Sequence, residues 1–529
     1  MERCEKRQIA ITELEGLGSC RVKISKNVGP ARVLTLQQVW LMLLLAGVFV
    51  LFSSPNLLAA ERPNIILVMA DDQGWGDVGY NGHEILRTPN LDAMAAEGLR
   101  FERFYAAAPV CSPTRGSCLT GRHPFRYGVL FANVGHMLPR EITLAELLKD
   151  AGYATGHFGK WHLGTLTKAE KDSNRGGPGG ATHFSPPWRN GFEECFSTEA
   201  KTPTWDPLLR PKSAKGGTWW DPVGSLGDAS PYGTAYWSQA GEKVVENLRG
   251  DDSRAIMDRA IPFVRRSVER GKPFFAVIWF HAPHLPVVSG KKYTKPYAAH
   301  SKHHQHYWGC ITALDEQVGR LRGELRKLNV ADNTMLWYSA DNGPEGNARA
   351  PGSAGQLRGR KRSLHEGGVR VPGILEWPAR VKGGQTTDLP AVTSDYLPTI
   401  LEAVELRMPD NRPLDGVSLM PLIDGQMKQR PRPIGFQSEG QVSWVDNQYK
   451  LIRVRAAKRR RGENNESDEP GETGGFMLFD LDADLSEQND VAADHPEIVR
   501  LMSAQLKSWQ QSCAASRAGA DFVKDSRPD

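Results

Sequence analysis

Cys111-Ser112-Pro113-Thr114-Arg115 sets a thiol and a guanidinium within five residues. Ser112 is a good N-cap and Pro113 suits the first helical position, so a short helix is predicted to begin here with Cys111 just ahead of its N-terminus. That end of a helix attracts anions. A cysteine beside a helix N-terminus and an arginine ordinarily reads as a low-pKa thiolate nucleophile; the plainer alternative is a buried cysteine opening an ordinary helix. A second chemistry lies in Asp71-Asp72 and Asp341-Asn342. Adjacent acids repel unless a cation sits between them, and carboxylate and amide oxygens are hard ligands that suit Ca²⁺ or Mg²⁺ rather than a thiophilic metal. Taken singly, Asp71-Asp72 also fits a capping Asp with a solvated neighbour.

The elements that must position these groups are apolar runs. Asn64-Ile65-Ile66-Leu67-Val68-Met69-Ala70 runs into Asp71-Asp72, and Asn333-Thr334-Met335-Leu336-Trp337-Tyr338-Ser339 runs towards Asp341-Asn342-Gly343. Neither alternates, which suits strands buried on both faces of a parallel sheet. Two further runs deliver cations: Gly152-Tyr153-Ala154-Thr155-Gly156-His157 leads into Gly159-Lys160-Trp161-His162, and Pro273-Phe274-Phe275-Ala276-Val277-Ile278-Trp279-Phe280 leads into His281-Ala282-Pro283-His284. Ligand sites in open α/β sheets form at the carboxyl ends of strands. Four such ends should converge on one rim, where a divalent metal, basic side chains and Cys111 surround a tetrahedral anion.

Length and composition bound the rest. The 529 residues exceed one typical domain, and 40% hydrophobic residues fill a sizeable core, so one large and one smaller domain are expected. A net charge of +5 is mild and does not argue for nucleic acid. Seven scattered cysteines make no disulfide framework, and no Cys-x-x-Cys pair suggests zinc. Residues 39–52 are an apolar run of signal-peptide length, after Arg32 and before Leu58-Ala59-Ala60. Residues 1–60 therefore read as a signal peptide and N-terminal extension. The mature chain is expected to start near Glu61 in the periplasm or outside the cell, meeting a membrane only if that segment stays as an anchor.

Cys-x-Pro-x-Arg followed by Leu119-Thr120-Gly121-Arg122 resembles the signature of the type I sulfatases, in which the cysteine is oxidised after translation to formylglycine. Glu366-Gly367-Gly368-Val369-Arg370-Val371-Pro372, Thr88-Pro89-Asn90-Leu91-Asp92 and Gly191-Phe192 extend the likeness from Pro63 to about Pro398. The motifs most resemble those of arylsulfatase A-like and N-acetylgalactosamine-6-sulfatase-like enzymes. The resemblance implies an alkaline-phosphatase-like α/β core, a mixed sheet between helices over residues 61–400. A smaller C-terminal α+β domain follows over 401–529, with a closing helix near 496–509 and a mobile hairpin tip over 456–475.

The same resemblance implies the site roles. One Ca²⁺ is held by Asp71, Asp72, Asp341, Asn342 and Cys111 as formylglycine, made by a formylglycine-generating maturation enzyme. Asp341 is the base, Lys160 and Lys361 hold the sulfate, His162 and Arg115 orient the formylglycine, and His284 with Lys361 protonates the departing alcohol. Arg358, Arg360 and Arg362 read as a solvated basic loop. The expected activity is hydrolysis of a sulfate monoester, on a sulfated carbohydrate. The alternatives are a phosphomonoester or phosphonate-ester hydrolase on the same fold, and a silent binding protein for sulfated glycans with Cys111 unconverted.

Residues 165–236 are dense in Gly, Pro and Trp and are placed to set substrate choice. Trp188, Trp205, Trp219, Trp220 and nearby Trp237 either stack on sugar rings or pack the loop itself. His300, His303, His304 and His306 fit a solvated helix start better than a metal site, since no acid or cysteine in the motif completes one.

Overall fold

The computed structural model describes residues 62–214, 216–454 and 475–522. The signal-like segment and nearly all of the expected hairpin tip lie outside these residues. The described residues form one compact unit. No helix among the described residues is long and apolar enough to cross a membrane.

Ten strands make the main sheet: β1 (Asn64–Ala70), β2 (Leu99–Phe101), β3 (Ala154–Lys160), β4 (Glu194–Thr198), β5 (Tyr236–Ser238), β6 (Lys243–Val244), β7 (Phe274–Trp279), β8 (Thr334–Ala340), β9 (Gly373–Glu376) and β10 (Gln385–Thr387). Their order is β10-β2-β9-β8-β1-β7-β3-β4-β5-β6. The five central strands β8, β1, β7, β3 and β4 run parallel, with Leu67 between Val277 and Trp337. Antiparallel β9 and β5 flank them and make the sheet mixed, as the resemblance implies.

Continuous apolar sequence is what a strand buried on both faces requires, and every residue of β7 and β8 is buried. Helices supply the cover. In α2 (Asp252–Glu269; α1 follows below) the Asp251 carboxylate accepts from Arg254 N at 2.8 Å, and Ile256, Ala260, Phe263 and Val264 form a buried stripe. The longest helix, α3 (Lys302–Lys327), buries Ile311, Leu314, Val318, Leu321 and Leu325 at the same spacing.

The main core continues through Ile423. A second sheet, β11 (Ile434–Ser438), β12 (Gln441–Asp446), β13 (Tyr449–Arg453) and β14 (Met477–Asp480), is an antiparallel meander. Glu439 and Gly440, both at positive φ, make its first two-residue turn. One face packs Trp444, Leu451 and Leu478 against Met502 and Leu506 of the closing helix α4 (Pro496–Arg517). The other packs Phe436, Ile452 and Phe479 against Leu364 and Val369, just beyond Lys361.

Candidate active site

The five parallel strands discharge their ends onto one rim: β1 into Asp71 and Asp72, β8 into Asp341 and Asn342, β3 in Lys160, β7 towards His284, and β4 into Glu199, Ala200 and Lys201. Only glycine fits one step of this rim. Gly159 has φ +108, and a Cβ there would lie 1.9 Å from the Trp279 carbonyl oxygen. Asp72 and His162 also sit at positive φ, 65° and 59°, a cost that ordered functional sites tolerate.

Cys111 enters from helix α1 (Cys111–Thr120), every residue of which is buried. Here the structure corrects the sequence reading. The helix begins at Cys111 with extended Val110 at the cap, and Ser112 makes no capping bond; its Oγ is buried without a partner. Thr114 Oγ1 instead accepts from Ala108 N at 3.2 Å, tying down the approach to the helix. The thiolate reading fares no better. Burial pushes the Cys111 thiol above its usual range, outweighing Lys160 and Lys361. As a thiol it is a poor nucleophile.

The charges interlock. Arg115 Nη2 and Nε donate to Asp341 Oδ2 at 2.6 and 3.1 Å, and its Nη1 donates to the Lys160 carbonyl at 3.1 Å. Lys160 Nζ meets Asp71 Oδ2 at 2.6 Å, and Lys361 Nζ meets Asp72 Oδ1 at 2.6 Å. Asp72 N donates to Asp341 Oδ1 at 3.0 Å, and Asn342 Nδ2 to Asp72 Oδ1 at 2.7 Å. Burial raises the carboxyls, but Lys361, His284 and Lys160 outweigh it at Asp72 and hold it below the usual range. At Asp341 burial and Asp71 prevail over Arg115 and Lys160, and its pKa is pushed up to about 6.

Two buried acceptors in this cluster, Asp71 Oδ1 and Asn342 Oδ1, have no hydrogen-bond partner. Buried polar atoms are rarely left so, and unpaired oxygens among carboxylates are the donor set of a hard cation. Ligand atoms of Asp71, Cys111 and Asp341 lie within 4.8 Å of one another, as do those of Asp71, Asp72 and His284. The residues fit a divalent ion. His284 stands beside the expected ligands.

His162 Nε2 lies 2.8 Å from Asn133 Oδ1, leaving Nδ1 buried and unpaired. Burial, with Lys160 and Arg175, holds this imidazole well below its ordinary pKa. His284 Nδ1 donates to the Leu285 carbonyl at 2.7 Å, and its Nε2 stands 3.6 Å from Asp72 Oδ2.

All the predicted site residues thus meet at one rim, and Cys111, Lys160, His162, His284 and Lys361 border a cavity of about 350 Å³. Sequence reasoning missed Phe131, Asn133, Asn174, Lys201 and Glu345 on its wall. The basic loop is not simply solvated. Arg362 borders the cavity and pairs with Glu345 at 2.6 Å, Arg360 donates to the carbonyls of Glu345 and Gly352, and Arg358 donates to that of Glu487. None of the five tryptophans borders it: Trp219 stacks on His306, and Trp237 Nε1 donates to Asp172. They pack the loop. His306 is buried rather than solvated, with its Nε2 3.3 Å from Asp221, an acid outside the motif.

A rim of acids, fixed cations and unpaired oxygens around a buried Cys111 defines a hydrolase site for tetrahedral-anion esters on an α/β fold. The comparisons specify it. The Sulfatase family model matches residues 63–406. N-acetylgalactosamine-6-sulfatase of Sus scrofa is 33% identical over 70% of this chain and 68% of its own. Arylsulfatase G of Rattus norvegicus is 30% identical over 90% and 92%. The crystal structure of Ps i-CgsB with k-i-k-neocarrahexaose superposes with a TM-score of 0.69 at 27% identity, covering 85% of this chain and 93% of that one. The chain belongs to the sulfatase family and is a sulfuric ester hydrolase with the alkaline-phosphatase-like fold.

Proposed function

We propose that the protein hydrolyses a sulfate monoester of a carbohydrate through a formylglycine made from Cys111, with one Ca²⁺ bound at the rim. The observation that carries this reading is the pair of unpartnered buried oxygens, Asp71 Oδ1 and Asn342 Oδ1, beside a protonated, buried Cys111. Hydrated, the aldehyde supplies two hydroxyls on one carbon, one to attack sulfur and one to expel sulfate. Asp71, Asp72, Asp341, Asn342 and residue 111 would hold the ion, which neutralises sulfate oxygens and orients the nucleophile.

The chain's own groups are suited to the remaining tasks. Asp341, near pH 6, takes the proton of the attacking hydroxyl while Arg115 fixes its orientation. Lys160 and Lys361 present fixed positive charge to the sulfate oxygens. Burial lowers the Lys361 ammonium, but Asp72 raises it beyond the usual range, so it stays charged and, beside His284, has a proton for the leaving alkoxide. His162 offers Nδ1 as an acceptor to a hydroxyl on residue 111.

The names of the relatives support the carbohydrate: one is an N-acetylgalactosamine-6-sulfatase and one was solved with a neocarrahexaose. Such a polymer is met outside the cytoplasm, in keeping with export and cleavage near Glu61; N-terminal sequencing of native protein checks this. The enzymatic test expresses the chain with a formylglycine-generating enzyme and compares sulfated sugars, an aryl sulfate and the matching aryl phosphate. Sulfated sugars should be turned over best. Faster turnover of the phosphate, or full activity with unmodified Cys111, refutes the reading.

A further inference from the structure

Four lysine and arginine side chains border the cavity, and three are already paired. Lys160 meets Asp71 at 2.6 Å, Lys361 meets Asp72 at 2.6 Å, and Arg362 meets Glu345 at 2.6 Å. Lys201 is the fourth. Among the described residues it makes no ion pair or hydrogen bond; burial and the charges of Lys160 and Lys361 disfavour its ammonium and outweigh the attraction of Asp72 and Asp71, both already paired with those lysines. A cation with no direct partner in a half-buried site is costly unless an anion arrives to meet it.

The turn that carries Lys201 is held from every side. Trp161 N and His162 N donate to the carbonyls of Thr198 and Glu199 at 2.9 and 3.0 Å. Asp252 bonds His281 at 2.7 Å, His281 bonds Thr198 Oγ1 at 2.7 Å, and that hydroxyl donates to the Ala200 carbonyl at 2.8 Å. Arg175 Nε clamps the Glu199 carboxylate at 2.8 Å. A solvated surface lysine needs no such scaffold, whereas a recognition residue loses less entropy when its backbone is fixed beforehand.

Charge counting gives the ligand. With Arg115, the rim and cavity wall hold five lysine and arginine side chains against the four carboxylates of Asp71, Asp72, Asp341 and Glu345, and the surplus is Lys201. A divalent ion adds two positive charges, and a single sulfate monoester brings one negative charge. We infer that Lys201 binds a second anionic group, a further sulfate or a carboxylate, on the same substrate molecule. This deepens the sulfatase reading and rests on it.

The test uses a galactoside with one sulfate ester, the same galactoside with two, and a monosulfated galactoside linked to a hexuronate. The mature enzyme should favour a two-anion substrate by about tenfold in kcat/KM, the scale of one charged hydrogen bond. In Lys201→Met that ratio should fall to near one, and Lys201→Arg should restore it. The disulfated and hexuronate arms say which anion is read. Equal loss on all three substrates, or no preference in the native enzyme, overturns the inference. Calorimetric binding of the same sugars to the unmatured protein separates the two claims: no turnover of any sulfate removes the sulfatase reading, while a Kd ratio insensitive to Lys201→Met removes this one.

Discussion

At the strand-end rim, Asp71, Asp72 and Asp341 lie buried with Arg115 and Lys160, beside the nearly covered Lys361 side chain; where the second sheet meets the core, Glu366 and Glu487 lie equally buried with Lys450 and Arg370. In the second cluster every carboxylate oxygen faces a cation or a hydrogen-bond donor, Glu487 Oε1 through ion-pair contacts with Lys450 and His365 alone. Glu366 takes Lys450 at 2.8 Å on one oxygen and the Tyr105 hydroxyl at 2.9 Å with Arg370 at 3.4 Å on the other. Glu487 takes Lys450 at 3.1 Å and the Glu366 N–H at 2.7 Å. The rim cluster leaves oxygens bare. Removing one partner of a completed pair strands a buried charge, whereas an incomplete cluster has room for a ligand's charge. One cluster holds the fold, and the other waits for ion and anion.

The sharpest way to break this contrast is to remove the group at the rim's centre. Cys111→Ala should cost on the order of 10⁴-fold or more in kcat, as loss of a nucleophile does, with little change in Tm. Mass spectrometry of the mature peptide should find the aldehyde on residue 111. Asp72→Ala and Asn342→Ala come next, with losses on the order of a hundredfold or more, and exhaustive chelation should reproduce them. Activity that survives chelation in metal-free protein would refute the ion.

Glu366→Gln should do the opposite. Taking the Glu366 charge from Arg370 and leaving Lys450 with Glu487 alone costs about 3 kcal/mol, seen as a lowered Tm, while kcat of the folded protein falls far less than in Asp72→Ala. If instead kcat collapses and Tm holds, the two clusters are not divided as described.

A pH titration sharpens the same point. The Asp341 carboxyl, raised to about 6 by burial and Asp71, is protonated below that pH and must lose the proton before it can ligate a cation. Ca²⁺ affinity should therefore fall by up to about tenfold per unit as pH drops below 6, and level off above it. Calorimetry between about pH 5 and pH 8 reads this directly. A pH-independent affinity would take Asp341 out of the ligand set.

How much of this was legible follows from what each residue depends on. Asp71, Asp72, Asp341 and Asn342 were readable because an unbroken apolar run marks a buried parallel strand and the next polar residue must fall at its end. Cys111, Arg115 and Lys361 came through resemblance, and the structure brings them together. The helix start at Cys111 was misread because capping propensity pointed to Ser112, while the observed start hangs on Thr114 holding Ala108, which propensity does not encode. Lys201 and Asn133 gave no local signal. Their placement depends on Arg175, Asp252 and His281, far from them in sequence, and the same distant packing turned the tryptophans inward.

Asn133 carries the subtlest expected effect. An amide oxygen only accepts, so its contact at 2.8 Å with His162 Nε2 puts the imidazole proton on Nε2 and leaves Nδ1 bare. Asn133 is held in turn at φ 64°, with Asn174 Nδ2 donating to the same oxygen at 3.0 Å. Asn133→Leu frees His162 to place its proton on either nitrogen, and a wrong tautomer repels the hydroxyl that Nδ1 should accept from. The expected loss is about tenfold in kcat with KM nearly unchanged, as for other outer residues that orient a histidine. ¹⁵N spectra of the histidines, assigned by difference against His162→Gln, should show a pyridine-type Nδ1 in the native protein and mixed signals in Asn133→Leu. If the spectra match while kcat drops, Asn133 shapes the pocket wall and not the proton's position.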